Sequence, residues 1–447
     1  MDMNMFMDKL LARAVEEGLG AAEVYFKSSS DFGAGAKGGE INTYEVSETC
    51  SLGLRGTWNG RMGYASSEAF DDEAIAQLIG GVKESAELVE TEEQDEIFPG
   101  EESYPTLPEE ETDIFTVTPE QKLEAALRLE KGVKDADSRI ANVPAANVQT
   151  SSSTVRLKNT YGLDLSTTEY MCAAVAGAIA KDGDSTTVGY QVKAAPKFAD
   201  IDIDALSKEA AEWALNALHG QAVEAGEYRI IMHREAMCDL LRTFCGIFSA
   251  ENAQKQMSLL AGKEGTKIAS DAVTLMDDPL LPGGFGSRTF DAEGSAARTK
   301  TVIDAGELKT LLHNRKTAKK QGVETTGNAS RASVASNVRV SPTNFFFKPG
   351  EKDLDALTEQ MGDGLVITEL AGLHSGANAI SGDFSLLSKG YRVEGGKRTF
   401  PVEQITVAGN FYQLLQNIRE VGSDLLFPAS SIGSPSVDVG TLNVAGK

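Results

Sequence analysis

The sequence predicts an α+β protein built from several domains. Helix-period and strand-like stretches are mixed without a regular βαβ alternation, which disfavours a doubly wound sheet. The amino-terminal half runs twice through helix, short antiparallel strands and helix. The remainder is longer, rich in glycine and strand-rich. A chain of 447 residues exceeds what one core usually spans. The divisions that follow are an α+β unit at 1–89, an acidic linker at 90–118, a middle α+β unit at 119–222 and a larger mixed carboxy-terminal domain at 223–447.

Each element has its own signal. Phe6, Leu10, Leu11 and Ala14 recur at helical spacing before Gly18 and Gly20. Short β-like runs follow at Ala22–Ser28, Ile41–Glu48, Cys50–Gly56 and Gly60–Ser66, with Asn59-Gly60 as a hairpin turn. Asp71–Val89 returns to helical spacing. Residues 90–118 hold many carboxylates and three prolines, and no Lys or Arg occurs between Lys83 and Lys122. Such a block reads as a solvated connection. Pro119–Asp135 is a helix, Ile140–Ala195 is strand-like with a turn at Tyr161-Gly162, and Ala199–Leu218 is a helix with carboxylates in its first turn. Then come a short strand at Tyr228–Met232, a helix at Arg234–Phe248, a helix at Asp353–Met361 and a late helix at Val407–Val421.

Composition narrows the function classes. Hydrophobic residues make up 41% and charged residues 24%, ordinary values for a soluble chain. With 66 Asp and Glu against 42 Lys and Arg, the net charge is −24. Nucleic-acid binding draws on basic patches, so direct nucleic-acid contact is not expected. No stretch reaches the length of a membrane span. Met1–Glu17 lacks the apolar run of a signal peptide, and the four cysteines form no CxxC pair; both point to a cytoplasmic location.

The usual catalytic motifs are missing. The four histidines, His219, His233, His313 and His374, give no HExxH. There is no GxSxG and no phosphate loop; PLLPGGFGSR reads as a flexible turn. One crowded region, MHREAMCDLLRTFC, offers His233, Glu235, Cys238, Asp239 and Cys245. On a helix Glu235, Cys238 and Asp239 share a face, which makes an improvised metal site one reading. In the plainer one, Cys238 is a small core residue flanked by carboxylates. A second stretch, Gly372–Lys397, alternates glycine and small residues with polar ones. It reads either as a strand that pairs with an extended peptide or as a twisted strand pair with tight turns. On the first reading His374, Ser375, Gly376, Asn378 and Asp383 are the candidate substrate-binding residues.

Several segments together resemble the TldD/PmbA family: FDAEGSAARTKTVIDAGELKTLLHNRKTAKKQG, TTGNASR, HSGANAISGDFSLLSKGYRVEGGK, PVEQITVAGNFYQLLQNIREVGSD and SPSVDVGTLNVAG. The resemblance implies one of two branches. TldD-like members resemble zinc metalloproteases and carry HExxxH and a later cysteine; PmbA/TldE-like members lack these ligands and pair with TldD. Set against HExxxH, Arg234 and Asp239 take the histidine positions and only Glu235 survives. Ser430, Ser431 or Ser434 stands where the cysteine belongs. A guanidinium opposes a cation by Coulomb repulsion, and a hydroxyl is a poor zinc ligand. The resemblance therefore implies a PmbA/TldE-like subunit of a TldD/TldE-type metallopeptidase complex acting on unfolded or extended peptides, with no metal of its own and Zn in the TldD-like partner. A heterodimer with that partner, or a homodimer, is the expected assembly. Two alternatives stay open: an autonomous metallopeptidase using His233, Glu235 and Cys238, and a non-enzymatic regulatory or binding protein of the DNA gyrase modulator type.

Overall fold

The computed structural model describes residues 3–89, 96–109 and 111–446. Helix α1 (Met3–Glu16) is followed by strands β1 (Ala22–Lys37), β2 (Glu40–Trp58) and β3 (Arg61–Ser67) and helix α2 (Asp72–Glu87). Helix α3 (Pro119–Asp135), strands β4 (Ile140–Asn159), β5 (Asp164–Asp182) and β6 (Ser185–Ala195) and helix α4 (Ile203–Asn216) repeat that order. The two units share one sheet, ordered β3-β2-β1-β4-β5-β6, because β1 pairs antiparallel with β4 from Glu23↔Asn159 to Gly35↔Asn147. Alternate residues of β1 face the same side of the sheet. Ala22, Val24 and Phe26 pack in one core with α1 and α2, and Ala34 and Ala36 in another with α3 and α4.

Local chemistry explains the boundaries. Asn59 and Gly60 have φ of 51° and 75°, the left-handed pair a tight hairpin needs. The Thr118 hydroxyl accepts from Gln121 N–H, whose side chain returns to the Thr118 amide, so α3 starts in a capping box. Ile41–Glu48 and Cys50–Gly56 were expected as separate strands. They form one strand, β2, since all sixteen residues of β1 pair along it with a single bulge at Gly35/Ala36.

The acidic segment is anchored at several points. Residues 90–95 and 110 lie outside the described residues; 96–109 and 111–118 form an irregular, largely exposed connection with a few buried anchors. Ile97 and Ile114 are buried. The ring of Phe98 lies 3.7 Å beneath the Arg315 guanidinium, and Tyr104 donates its hydroxyl to Gly294 O at 2.8 Å. Glu101 accepts from Ala296 N and Arg298 Nη2, both at 2.9 Å. Apolar residues spaced between the carboxylates anchor the segment.

Strand β7 (Gly226–Met232) and helix α5 (Arg234–Phe244) open the carboxy-terminal domain. Helix α6 (Arg315–Gln321) and helix α7 (Leu354–Met361) follow, then β8 (Gly364–Ala371), β9 (Asp383–Glu394), β10 (Lys397–Asn410), helix α8 (Phe411–Asn417) and β11 (Val437–Ala445). The order β10-β9-β8-β7-β11 closes on itself through Thr406↔Ala445 and its neighbours. One face of this closed sheet meets α5 and α8, and the other carries Leu357 and Met361 of α7. The helix expected at Val407–Val421 is confined to Phe411–Asn417, because Val407 continues β10 and Asn410 caps the helix by accepting from Tyr412 and Gln413 N–H.

Candidate functional site

The junction of β7 and α5 gathers the candidate chemistry. His233 N–H donates to Ile367 O at 2.8 Å, which ties the end of β7 to β8. The His233 ring is mostly buried, its Nδ1 has no partner, and burial, with the nearby Arg234 charge, lowers its pKa to about 4. The imidazole is therefore neutral at pH 7. Arg234 N–H donates to Ser436 Oγ at 3.2 Å, and Ser436 in turn donates to Asp424 Oδ2 at 2.8 Å. Arg234 Nε is buried without a hydrogen bond.

At the next residue, burial raises the Glu235 carboxyl, and Gln191 and Lys193 of β6 stand beside it. Asp239 is also raised by burial and is held by Arg242 Nη1 at 2.8 Å. Cys238 donates to Leu426 O at 3.5 Å, and burial pushes its thiol up to about 12. A thiol so far above neutral pH is not a ready nucleophile. Among the described residues, no group of three or more His, Cys, Asp or Glu side chains is placed to hold a metal ion. The donors near this helix are the Glu235 and Asp239 carboxylates, the Cys238 thiol and the His233 imidazole, with the Arg234 guanidinium among them opposing a cation.

The serine segment lies against this helix. Ser434 is fully buried and donates to Pro435 O at 2.7 Å. Ser430 Oγ accepts from Ile432 N at 3.0 Å, and Ser430 and Ser431 line a cleft of about 850 Å³.

Sequence reasoning missed that cleft. Its walls are Ser166–Met171 of β5, Pro196-Lys197, the Leu281–Phe285 loop and Ala429–Ser431. Strand β6 pairs only with Cys172–Asp182, so among the described residues no strand covers the outer edge of Asp164–Met171. Its backbone groups face the cleft side unpaired by any strand, the usual template for an added strand. PLLPGGFGSR, read as a flexible turn, supplies the opposite wall. A Cβ at Gly286 would lie 2.9 Å from Ser431 Cβ and 2.8 Å from the Thr343 carbonyl carbon, so glycine is what lets this loop close on the serine segment. A strand longer than its neighbour was the missing signal, and that needs pairing to be known.

The Gly372–Asp383 candidates fall elsewhere. Gly372, at φ 81°, starts a short helical turn at Leu373–Gly376 that contains His374, Ser375 and Gly376, so most of this stretch is not a strand. Asn378 Oδ1 accepts from Ile380 N at 2.9 Å and Ser381 N at 3.1 Å. Asp383 Oδ1 accepts from Asn410 Nδ2 at 2.8 Å. The Asn378 and Asp383 side chains thus fold the loop, and none of the five candidates lines the cleft. Strand β9, which begins at Asp383, pairs with both β8 and β10.

Comparison with known proteins places this architecture. Residues 22–86, 112–218 and 225–446 match the domain families described as PmbA/TldA metallopeptidase domain 1, central domain and C-terminal domain. The crystal structure of a Thermotoga maritima protein, described there as a proposed modulator of a DNA gyrase, superposes with a TM-score of 0.92 at 31% identity, covering 99% of this chain and 100% of that one. Metalloprotease PmbA of Escherichia coli O157:H7 is 26% identical over 433 residues, 95% of this chain and 92% of that protein. TldE from Thermococcus kodakarensis shares the fold, with a TM-score of 0.88 at 22% identity, covering 99% of this chain and 100% of that one.

Proposed function

Since this chain belongs to the PmbA/TldD metallopeptidase family, we propose that it serves as the metal-free subunit of a TldD/TldE-type peptidase complex. Helix α5 is the observation that carries this reading. It sets Arg234 and an ion-paired Asp239 around Glu235, with Cys238 held as a thiol. The partner subunit, TldD-like, supplies zinc and the activated water. This chain contributes the cleft between β5 and the Leu281–Phe285 loop, where an unfolded peptide lies extended along the open edge of Asp164–Met171. Main-chain pairing would accept many sequences, which suits a substrate defined by being unfolded. No helix among the described residues is long and apolar enough to cross a membrane.

The test starts with metal analysis of the chain purified alone and of the complex recovered with a TldD-like partner. Zinc is expected in the complex and not, at stoichiometric level, in the isolated chain. Arg234→His combined with Asp239→His, with Ser430 unchanged, is expected to gain no zinc-dependent cleavage of an unfolded protein. One tightly held zinc per chain in the isolated protein, together with cleavage, would overturn the proposal in favour of an autonomous peptidase. A complex that holds zinc and cleaves nothing would favour a regulatory protein.

A further inference from the structure

A second cavity, of about 200 Å³, lies where α4 meets β8, β9 and β10. It shares no lining residue with the larger cleft. Its sides are aromatic. Trp213 comes from α4, Tyr391 from β9, and the His233 ring stands 5.7 Å from the indole. The Arg398 guanidinium sits 4.6 Å from the centre of the Tyr391 ring. Its Nη2 donates to Asn216 O at 3.1 Å, which fixes it there.

The polar groups around this space are underused. Neither the Tyr391 hydroxyl nor the Trp213 indole N–H makes a hydrogen bond within the described residues, and His233 Nδ1 is buried without one. Of the three only His233 Nδ1 is buried, and an unpaired buried polar atom costs stability unless a ligand or water satisfies it. Among the charged lining residues Lys389 is paired with Glu369 at 3.2 Å, which leaves the exposed Arg398 as the unbalanced cation of the lining, while Asp355 and Asp424 act on Tyr391 from outside it. Flat aromatic walls, one surplus cation and unpaired donors select a small monoanion on a planar or apolar body.

We propose that this cavity binds a small monocarboxylate, with Arg398 and the Tyr391 hydroxyl at the carboxylate and Trp213 against the body. A free aromatic acid and the carboxy-terminal residue of a peptide offer the same chemistry. The proposal is independent of the peptidase reading, because neither α5 metal chemistry nor the β5 edge enters it.

The chain has two tryptophans, Trp58 and Trp213. Trp58→Phe therefore leaves Trp213 as a single fluorescent reporter inside the site. Titration with benzoate is expected to give a saturable change in its emission, and calorimetry on the parent chain reads the same binding without that substitution. Benzamide, equal in shape but uncharged, is expected to bind roughly tenfold or more weakly, the usual effect of losing a charged hydrogen bond. Arg398→Gln is expected to weaken benzoate by a similar factor and Tyr391→Phe by less. Arg398→Lys, expected to be intermediate, replaces the glutamine variant if that one melts early. N-acetylphenylalanine and its amide separate the sources: acid binding at least as tight as benzoate assigns a peptide terminus, and benzoate binding alone assigns a free acid. A non-saturating response to both acids, equal binding of benzamide, or unchanged affinity in the Arg398 variants would overturn the proposal.

Discussion

Glu23 is fully buried and accepts from Arg55 Nε at 2.7 Å and Nη2 at 3.0 Å, while Arg331 reaches it from 308 positions away. Arg331 also stacks 4.6 Å from the Tyr25 ring centre. Burial raises the Glu23 carboxyl, but the two guanidinium charges and their hydrogen bonds prevail and hold it below its ordinary value. Desolvating three charged groups is costly, so the cluster is weak evidence of net stabilisation, and breaking it strands two buried cations. Glu23→Gln is therefore expected to destabilise the protein by about 3–5 kcal/mol, read from the urea midpoint at pH 7. A loss below about 1 kcal/mol would mean that water reaches the guanidinium groups. None of this was legible in the sequence. Glu23 alternates with Ala22 and Val24 as a solvent-facing strand residue would, and nothing local announces a partner from the far end of the chain. The α5 residues were legible in type, because Arg234, Glu235 and Asp239 could be read directly, whereas the unpaired groups around Trp213 could not.

Elements with a strong period and a good cap were readable. Thr118 and Gln121 announce α3, and Met237, Leu240, Leu241 and Phe244 announce α5. Short apolar runs were not, since Val407 suits a strand and a helix equally and only pairing with Leu386 and Val444 decides. The glycines of Gly372–Lys397 were visible as a pattern without their cause. At Gly390 the cause is contact: an added Cβ would lie 1.9 Å from Val366 O on β8, beside the bulges at Ser388/Gly390 and Tyr391/Val393. Backbone cannot yield as a flexible side chain does. Gly390→Ala is expected to push β8 and β9 apart and cost about 1–3 kcal/mol, measured as a fall in the unfolding midpoint. An unchanged midpoint would show that the bulges absorb the methyl group.

At the scale of the whole molecule, the amino-terminal sheet and the carboxy-terminal domain are joined by Tyr25, Leu157 and Leu163 packing on Phe290, Ala292 and Ala329. Two buried carboxyls lie in the same region. Burial raises the Asp291 carboxyl, and the Arg288 charge and the amides of Glu293, Ser295 and Ala329, donating at 2.9, 3.0 and 3.0 Å, offset that only in part. Burial and the neighbouring Asp291 carboxyl push Glu293 up to about 7, so it is mostly protonated only below that pH. Burial raises Glu235 and Asp239 as well. An acid whose folded pKa lies above its unfolded one binds its proton more tightly in the folded state. Between the ordinary value of 4.5 and about 7, Glu293 therefore makes unfolding progressively easier as pH rises. Glu23 acts in the opposite sense, its contribution being present above 4.5 and lost as pH falls through its lowered folded value. A net charge of −24 adds self-repulsion that grows as the remaining carboxyls ionise. These contributions place maximal stability at roughly pH 5, with a decline that levels off a little above pH 7. Glu293→Gln retains an acceptor for Arg315 N–H, now 2.8 Å from Glu293 Oε2, and cannot ionise. It is expected to flatten the decline between pH 5 and 8 in denaturant unfolding, while about 0.3 M salt raises the parent at pH 8 by screening. A parent curve that rises across this interval, or a glutamine variant with the parent's slope, would show that Glu293 ionises freely and that the junction between the two halves is wet.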